Sequence, residues 1–133
     1  MSVEHGLLDT NVFIATETGR ELDATRLPRE AKVSVITAGE LHLGVLAAPD
    51  TESRALRLRT VESLAALTML PVTEEAARHW ARLCFRLSEK GRRINVNDLW
   101  IASIALANDL PVVTQDNDFD ALADLGGPEI IHL

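Results

Sequence analysis

The sequence has one cysteine, Cys84, no tyrosine, and only 4% aromatic residues. A single cysteine cannot close an internal disulfide and fits a reducing compartment. So few aromatics exclude a broad platform for stacking bases. No apolar run approaches the ~20 residues of a membrane span, and no basic segment leads into an apolar run as in a secretory signal. Positive charge is short as well: 13 Lys and Arg stand against 20 Asp and Glu, for a net charge of −7. That balance argues against a protein that coats nucleic acid with its whole surface. It does not exclude an enzyme that meets nucleic acid through bound cations, because these reverse the local field. These shortages point to a cytoplasmic protein with no membrane contact.

What is present is a chain of 133 residues, 47% of them hydrophobic, which suits one domain spanning 1–133 with a real core. Short apolar runs alternate with helical patterns along it. Val3–Leu8 reads as a first strand, followed by a short helix over Val12–Arg20. Lys32–Ile36 reads as a second strand, and Thr37-Ala38-Gly39-Glu40 has capping-box spacing for a helix to about Ala47. Pro49-Asp50 breaks it. Thr51–Ala66 is helical, with Leu56, Val61, Leu64 and Ala65 inward and Arg54, Arg57 and Arg59 outward. Leu67–Val72 is a brief strand. Thr73 caps a helix to about Lys90, and Gly91 stops it. A helix opens at Asn97-Asp98 and runs to Asn108. Pro111–Thr114 is a buried strand, a short helix covers Phe119–Leu125, and Ile130–Leu133 closes the chain. Strands alternating with helices, without hairpins, predict an α/β fold with a parallel sheet.

The acids fall at telling places in that pattern. Asp9 follows the first strand, Asp116 and Asp118 follow the Pro111–Thr114 strand, Asp98 opens a helix, and Glu40 sits in the first turn after the second strand. Each has an ordinary use alone: Asp9 or Thr10 caps the next helix, Glu40 completes a capping box with Thr37, Asp98 pairs with Asn95 in a cap, and Asp116 and Asp118 fill a turn. Together they occupy the ends that a parallel sheet brings to one edge. Carboxylates gathered there repel each other, so they hold protons or cations. Hard oxygen ligands without Cys or His point to Mg²⁺ or Mn²⁺, and the chemistry such sites perform is phosphoryl-ester cleavage.

Leu8-Asp9-Thr10-Asn11-Val12, Glu40, Asn97-Asp98-Leu99-Trp100-Ile101-Ala102 and Val113-Thr114-Gln115-Asp116-Asn117-Asp118-Phe119 resemble, in order and spacing, the motifs of PIN-domain ribonucleases, nearest to the VapC toxins of bacterial VapBC toxin–antitoxin systems. The resemblance covers essentially the whole chain. It implies a PIN-like α/β/α sandwich with a central parallel sheet, and a Mg²⁺-dependent endoribonuclease in which Mn²⁺ substitutes. It implies a cognate VapB antitoxin that blocks the site, an RNA substrate and a homodimer. Carried over by residue, the family acids fall on Asp9, Glu40, Asp98 and Asp116, with Asp118 as the alternative fourth. These would serve as both catalytic residues and metal ligands, and a metal-activated water would attack the phosphodiester. Thr10, Asn11, Asn97 and Thr114 would orient the carboxylates or cap their loops. A catalytically inactive, partner-binding regulatory PIN module is the alternative reading.

Positive charge for RNA is concentrated in one place. Arg78, Arg82, Arg86 and Lys90 recur every fourth residue, and Arg92 and Arg93 extend the stripe toward Asp98, as a phosphate-binding surface or a solvated helix face. The other face of that helix carries Ala77, Trp80, Ala81, Cys84 and Leu87, read as core, with Trp80 and Phe85 as interface residues. His5, His42, His79 and His132 form no cluster in sequence. A phospho-receiver would need a Lys after a late strand and an acid beside Asp9; the only lysines are Lys32 and Lys90.

Overall fold

In the computed structural model, which describes residues 3–133, five strands form one sheet with every pairing parallel. In chain order the elements are β1 (His5–Leu8), α1 (Thr10–Glu17), β2 (Glu30–Ser34), α2 (Val35–Leu46), α3 (Thr51–Ser63), β3 (Thr68–Leu70), α4 (Glu74–Lys90), α5 (Val96–Ala107), β4 (Val112–Thr114) and β5 (Ile130–His132). Side chains alternate across a strand, so neighbours serve opposite faces. Leu7 and Val112 join the core shared with α4 and α5, which includes Leu83, Leu87, Ile101 and Ile104. Leu8, Val33 and Val113 join the opposite core, with Val12, Phe13, Ala38 and Leu41 of α1 and α2. The result is an α/β/α sandwich.

The strand order is β3-β2-β1-β4-β5. The chain winds outward from β1 to β3, then crosses back over the α4–α5 face to start again on the other side of β1. The reversal lies between β1 and β4, and open α/β sheets bind ligands at the carboxyl ends of strands beside such a reversal. Close packing there restricts side chains. A Cβ on Gly6 of β1 would stand 2.9 Å from Val113 Cγ2 and 3.1 Å from Pro28, so the β1–β4 contact has no room for one.

Several expected boundaries move, each for a local reason. β1 starts at His5, not Val3. α2 starts at Val35, because Ser34 rather than Thr37 is its cap: Ser34 Oγ accepts the Thr37 amide at 3.1 Å. Thr37 is therefore inside the helix and Glu40 lies beyond its first turn, so no capping box joins them. α3 ends at Ser63 in a short 3-10 turn and buries none of its own residues. Leu56 is exposed, as are Leu58 and Ala65, so the inward stripe expected for this helix holds only at Val61 and Leu64. The last short helix is a 3-10 turn over Asp118–Leu122, capped by Ala123, with Asp124 following at φ 64°. On α4 the buried residues are Ala76, Leu83 and Leu87, whereas Ala81 and Cys84 face outward; Cys84 is exposed and not core. Trp80 stacks on Trp100 of α5, ring centroids 5.0 Å apart and 10° from parallel, which joins the two helices. Among the described residues no helix is long and apolar enough to cross a membrane.

Candidate active site

The carboxyl ends of β1 and β4 open on a pocket of about 280 Å³ lined by Asp9, Thr10, Asn11, Ile14, Glu40, Asn95, Asp98, Asp116 and Asp118. All five acids singled out in the sequence converge here. Asp9 follows β1 and is buried; Glu40 reaches in from α2, Asp98 from the first turn of α5, and Asp116 from the loop after β4. No Lys or Arg lines the pocket, and none of the five carboxylates joins an ion pair among the described residues.

Two hydrogen-bond networks hold the acids. Asp9 Oδ1 accepts the Thr10 amide at 2.8 Å and Oδ2 accepts the Thr114 hydroxyl at 2.9 Å. Asn11 Nδ2 donates to Thr114 Oγ1 at 3.0 Å and to Asp116 Oδ2 at 2.7 Å, while its Oδ1 accepts the Gln115 amide at 3.2 Å. Asn11 thus ties the acid after β4 to the acid after β1. On the other side, Thr10 donates to Glu40 Oε1 at 2.8 Å and lies 2.9 Å from the Thr37 hydroxyl. Asp9 also serves as the cap of α1, so capping and site membership coexist. Asp118 is exposed, and its amide donates to Asp116 Oδ1 at 3.0 Å.

Crowding shows in the acidities. Burial first, against the opposing hydrogen bonds from Thr114 and Thr10, raises Asp9 to about 6, with Asp116 and Glu40 adding repulsion. Burial and then the charges of Asp9, Asp116, Asp118 and Glu40 raise Asp98 to about 7. Asp118 is raised mainly by the charge of Asp116. A pocket with this many carboxylates and no internal counter-charge either holds protons or takes up a cation from outside. Its donors are all hard oxygens, which fits Mg²⁺ or Mn²⁺. Among the described residues no three Asp, Glu, His or Cys side chains are gathered closely enough to hold a metal ion as they stand. An ion here would need water in its shell, which Mg²⁺ usually keeps.

Other residues singled out from the sequence fare differently once placed. Asn97 is exposed and stands outside the pocket beside Val35 and Leu43; Asn95, which caps α5, lines the pocket instead. Thr37, which the capping-box spacing marks only as a cap, joins the site's network. Its signal, a Thr three residues before Glu40 on one helical face, is visible in sequence once the true start of α2 is known. Arg86 donates to the Leu125 carbonyl at 2.8 Å, Arg92 to the Ala123 carbonyl at 2.9 Å and Arg82 to the Gly126 carbonyl at 3.5 Å. These three bind down the loop that follows the Asp118–Leu122 turn. Gly126, at φ 79°, makes the approach possible: a Cβ there would lie 2.7 Å from Arg86 Nη1. Arg78 pairs with Glu74. Lys90 and Arg93 have no ion-pair partner among the described residues.

The family profile described as PIN domain matches residues 6–125. The sequence is 53% identical over 128 residues to Ribonuclease VapC5 of Mycobacterium tuberculosis, covering 96% of this chain and 95% of that protein. It is 40% identical over 126 residues to Ribonuclease VapC4 of the same organism, covering 94% and 96%. The crystal structure of VapBC-5, a member of the VapBC family of toxin–antitoxin systems from Mycobacterium tuberculosis, superposes with TM-score 0.90 at 50% identity, covering 97% of this chain and 98% of that one.

Proposed function

The chain belongs to the PIN-domain family, among its VapC ribonucleases, and we propose that it is a Mg²⁺- or Mn²⁺-dependent endoribonuclease toxin held inactive by a VapB-type antitoxin. The observation that carries the reading is the pocket itself: five carboxylates on four separate elements, without one internal cation. Asp9, Glu40, Asp98 and Asp116 are the residues that would hold the metal. Asp116 is preferred to Asp118 because Asn11 fastens it to the Asp9 network, whereas Asp118 is exposed at the rim. A divalent ion bound there would polarise a scissile phosphate and lower the pKa of an attacking water.

The chain's own part is placement. Thr114 and Thr10 hold Asp9 and Glu40 by their hydroxyls, so each acid is oriented before substrate arrives. The half-buried Asp98 resists ionisation because of its burial and the neighbouring carboxylates, so a bound cation would relieve a cost that the fold alone bears and would offset the charge of an incoming phosphate. Of the basic stripe, Lys90 and Arg93 have no ion-pair partner among the described residues and, with the exposed side of Arg92, can contact phosphates; RNA is the substrate this supports.

The antitoxin has a surface to meet. A second hollow of about 290 Å³ between α1, α2 and α3 shares Ile14 and Glu40 with the acid pocket. Around these helices Leu43 and Leu46 are 64% and 77% exposed, and Leu56 and Leu58 are exposed as well. An apolar segment seated there would reach the acids at its end. Homodimer formation belongs to the same reading, supported by the exposed Val35 and Val96 at the starts of α2 and α5.

The test is cleavage of RNA by purified, antitoxin-free protein. Cutting in Mg²⁺ or Mn²⁺ that EDTA stops and Asp98→Ala abolishes is the expected result. Wild-type rates from the Asp98→Ala protein would refute the assignment, and metal-supplied wild-type protein that never cuts would favour the inactive regulatory module.

A further inference from the structure

Thr37 is fully buried, yet its hydroxyl is aimed at the site. Other hydroxyls on these helices fold back on their own backbone: Thr16 donates to the Val12 carbonyl, Thr18 to that of Ile14 and Ser103 to that of Leu99. This is the usual outlet for Ser and Thr inside a helix. Among the described residues Thr37 makes no such bond. Its Oγ1 lies 2.9 Å from Thr10 Oγ1, which lies 2.8 Å from Glu40 Oε1.

Counting protons gives the bonds a direction. A hydroxyl carries one proton, and a carboxylate can only accept. Thr10 spends its proton on Glu40, so the proton between the two threonines belongs to Thr37. The sequence of donors is Thr37 to Thr10 to Glu40. It parallels the other side of the pocket, where Asn11 donates to Thr114 and Thr114 donates to Asp9. In both, the hydroxyl that holds an acid is itself held by a second donor, which fixes its rotamer and strengthens its own donation. The Ser34 cap on the Thr37 amide fixes the backbone from which Thr37 reaches out.

We infer that Thr37 is a positioning residue for Glu40, acting through Thr10 to set the carboxylate for a divalent cation. The inference rests on the reading of Glu40 as a metal-holding residue given above. Outer partners of metal-holding groups typically contribute about 10–100-fold to affinity. Removing the Thr37 hydroxyl should weaken cation binding without touching the pocket.

The experiment is calorimetric titration of EDTA-stripped full-length protein with Mn²⁺, with thermal melts alongside. Thr37→Val should bind about tenfold more weakly, and Thr37→Ser should stay near wild type. In a Thr10→Val background, Thr37→Val should add nothing, because the link is gone. Equal affinity for wild type and Thr37→Val, or fully additive losses in the double variant, overturns the inference. If Thr37→Val does not fold, Thr37→Ser and Thr37→Ala make the same comparison, with the methyl absent from both. Weaker binding by the Ala variant supports the inference, and equality overturns it. Wild-type protein that takes up no Mn²⁺ overturns the metal reading, and this inference with it; binding that is indifferent to residue 37 overturns this inference alone.

Discussion

Replacing Asp98 by asparagine removes a charge that the pocket cannot neutralise from within, and the structure sets the size of the effect. Asp98 makes no side-chain hydrogen bond among the described residues, so the change removes charge and little else. Burial and four neighbouring carboxylates lift it from 3.8 to about 7. An acid whose pKa is higher in the folded than in the unfolded chain binds more protons when folded, so stability falls as pH rises through the interval. For Asp98 the loss starts near pH 4, is complete just above pH 7, and persists at higher pH. At about 1.4 kcal/mol per pH unit, the displacement corresponds to about 4 kcal/mol. Roughly half, about 2 kcal/mol, remains after discounting for solvent screening at a half-exposed carboxyl.

The assay is thermal melting of wild type and Asp98→Asn in EDTA from pH 4 to pH 8. At pH 8 the variant should be the more stable by about 2 kcal/mol, or roughly 6–8 °C in Tm. The gap should close toward pH 4, where both side chains are neutral. Mn²⁺ should then raise the wild-type Tm at pH 8 and leave the variant nearly unmoved, while RNA cleavage is lost. The sign matters because most substitutions destabilise, by about 1 kcal/mol. A variant no more stable than wild type at pH 8 would refute the claim that repulsion is stored in this pocket.

The same acidities require that Mn²⁺ affinity be flat above about pH 7, then fall about tenfold per pH unit as the Asp98 proton must be displaced, and more steeply below about 6 as Asp9 takes up its own; titrations in buffers of different ionisation enthalpy count the protons, and a flat profile from pH 8 to pH 5.5 would count against it. Lys90→Glu with Arg93→Glu should weaken RNA binding and lower the slope of log affinity against log salt by about 1.4, at ~0.7 per phosphate contact on a single strand, with no more than about 1 kcal/mol of stability lost because Lys90 lies in the last turn of α4; fluorescence anisotropy across a salt series reads this, and an unchanged slope removes both residues from the interface. Leu46→Asp lies on a side chain that is 77% exposed, so the free protein should lose no more than about 1 kcal/mol, the cost of an acid in the last turn of α2, while antitoxin affinity drops at least tenfold; pull-down with a VapB-type partner and a melt of the free protein test the two halves separately.

Much of this fold can be read from residue order, because burial in a parallel sheet demands short β-branched runs and the sequence supplies them at Val33 and at Val112-Val113. The acids can be gathered on paper because strand ends and helix starts are local features, while their convergence follows from parallel topology. α3 resists such reading. Its leucines have the spacing of a core-facing stripe, but hydropathy records only that a side chain is to be covered, not by what. Leu56 and Leu58 stay uncovered in the lone chain, as they would if an antitoxin completes the burial. The arginine stripe has a structural role that its period does not show. A four-residue period places Arg82 and Arg86 on one face, but three carbonyls of a loop nearly forty residues on claim the guanidinium groups there, with Arg92.

Glu40 shows where local patterns stop and the site begins. In sequence, Thr37 and Glu40 satisfy a capping box, and that reading accounts for both without any function. It fails by three residues, because Ser34 already caps α2. Once the helix starts at Val35, Thr37 and Glu40 sit one turn apart on a face turned toward β1, where capping requires neither. What then accounts for a buried threonine and a half-buried glutamate on that face is the Thr10 hydroxyl between them. The same Thr10 amide binds Asp9. One residue after β1 therefore meets two acids from two elements, Asp9 through its backbone amide and Glu40 through its hydroxyl, so Thr10→Val, like Thr37→Val, should loosen Glu40 and leave the amide bond to Asp9 in place.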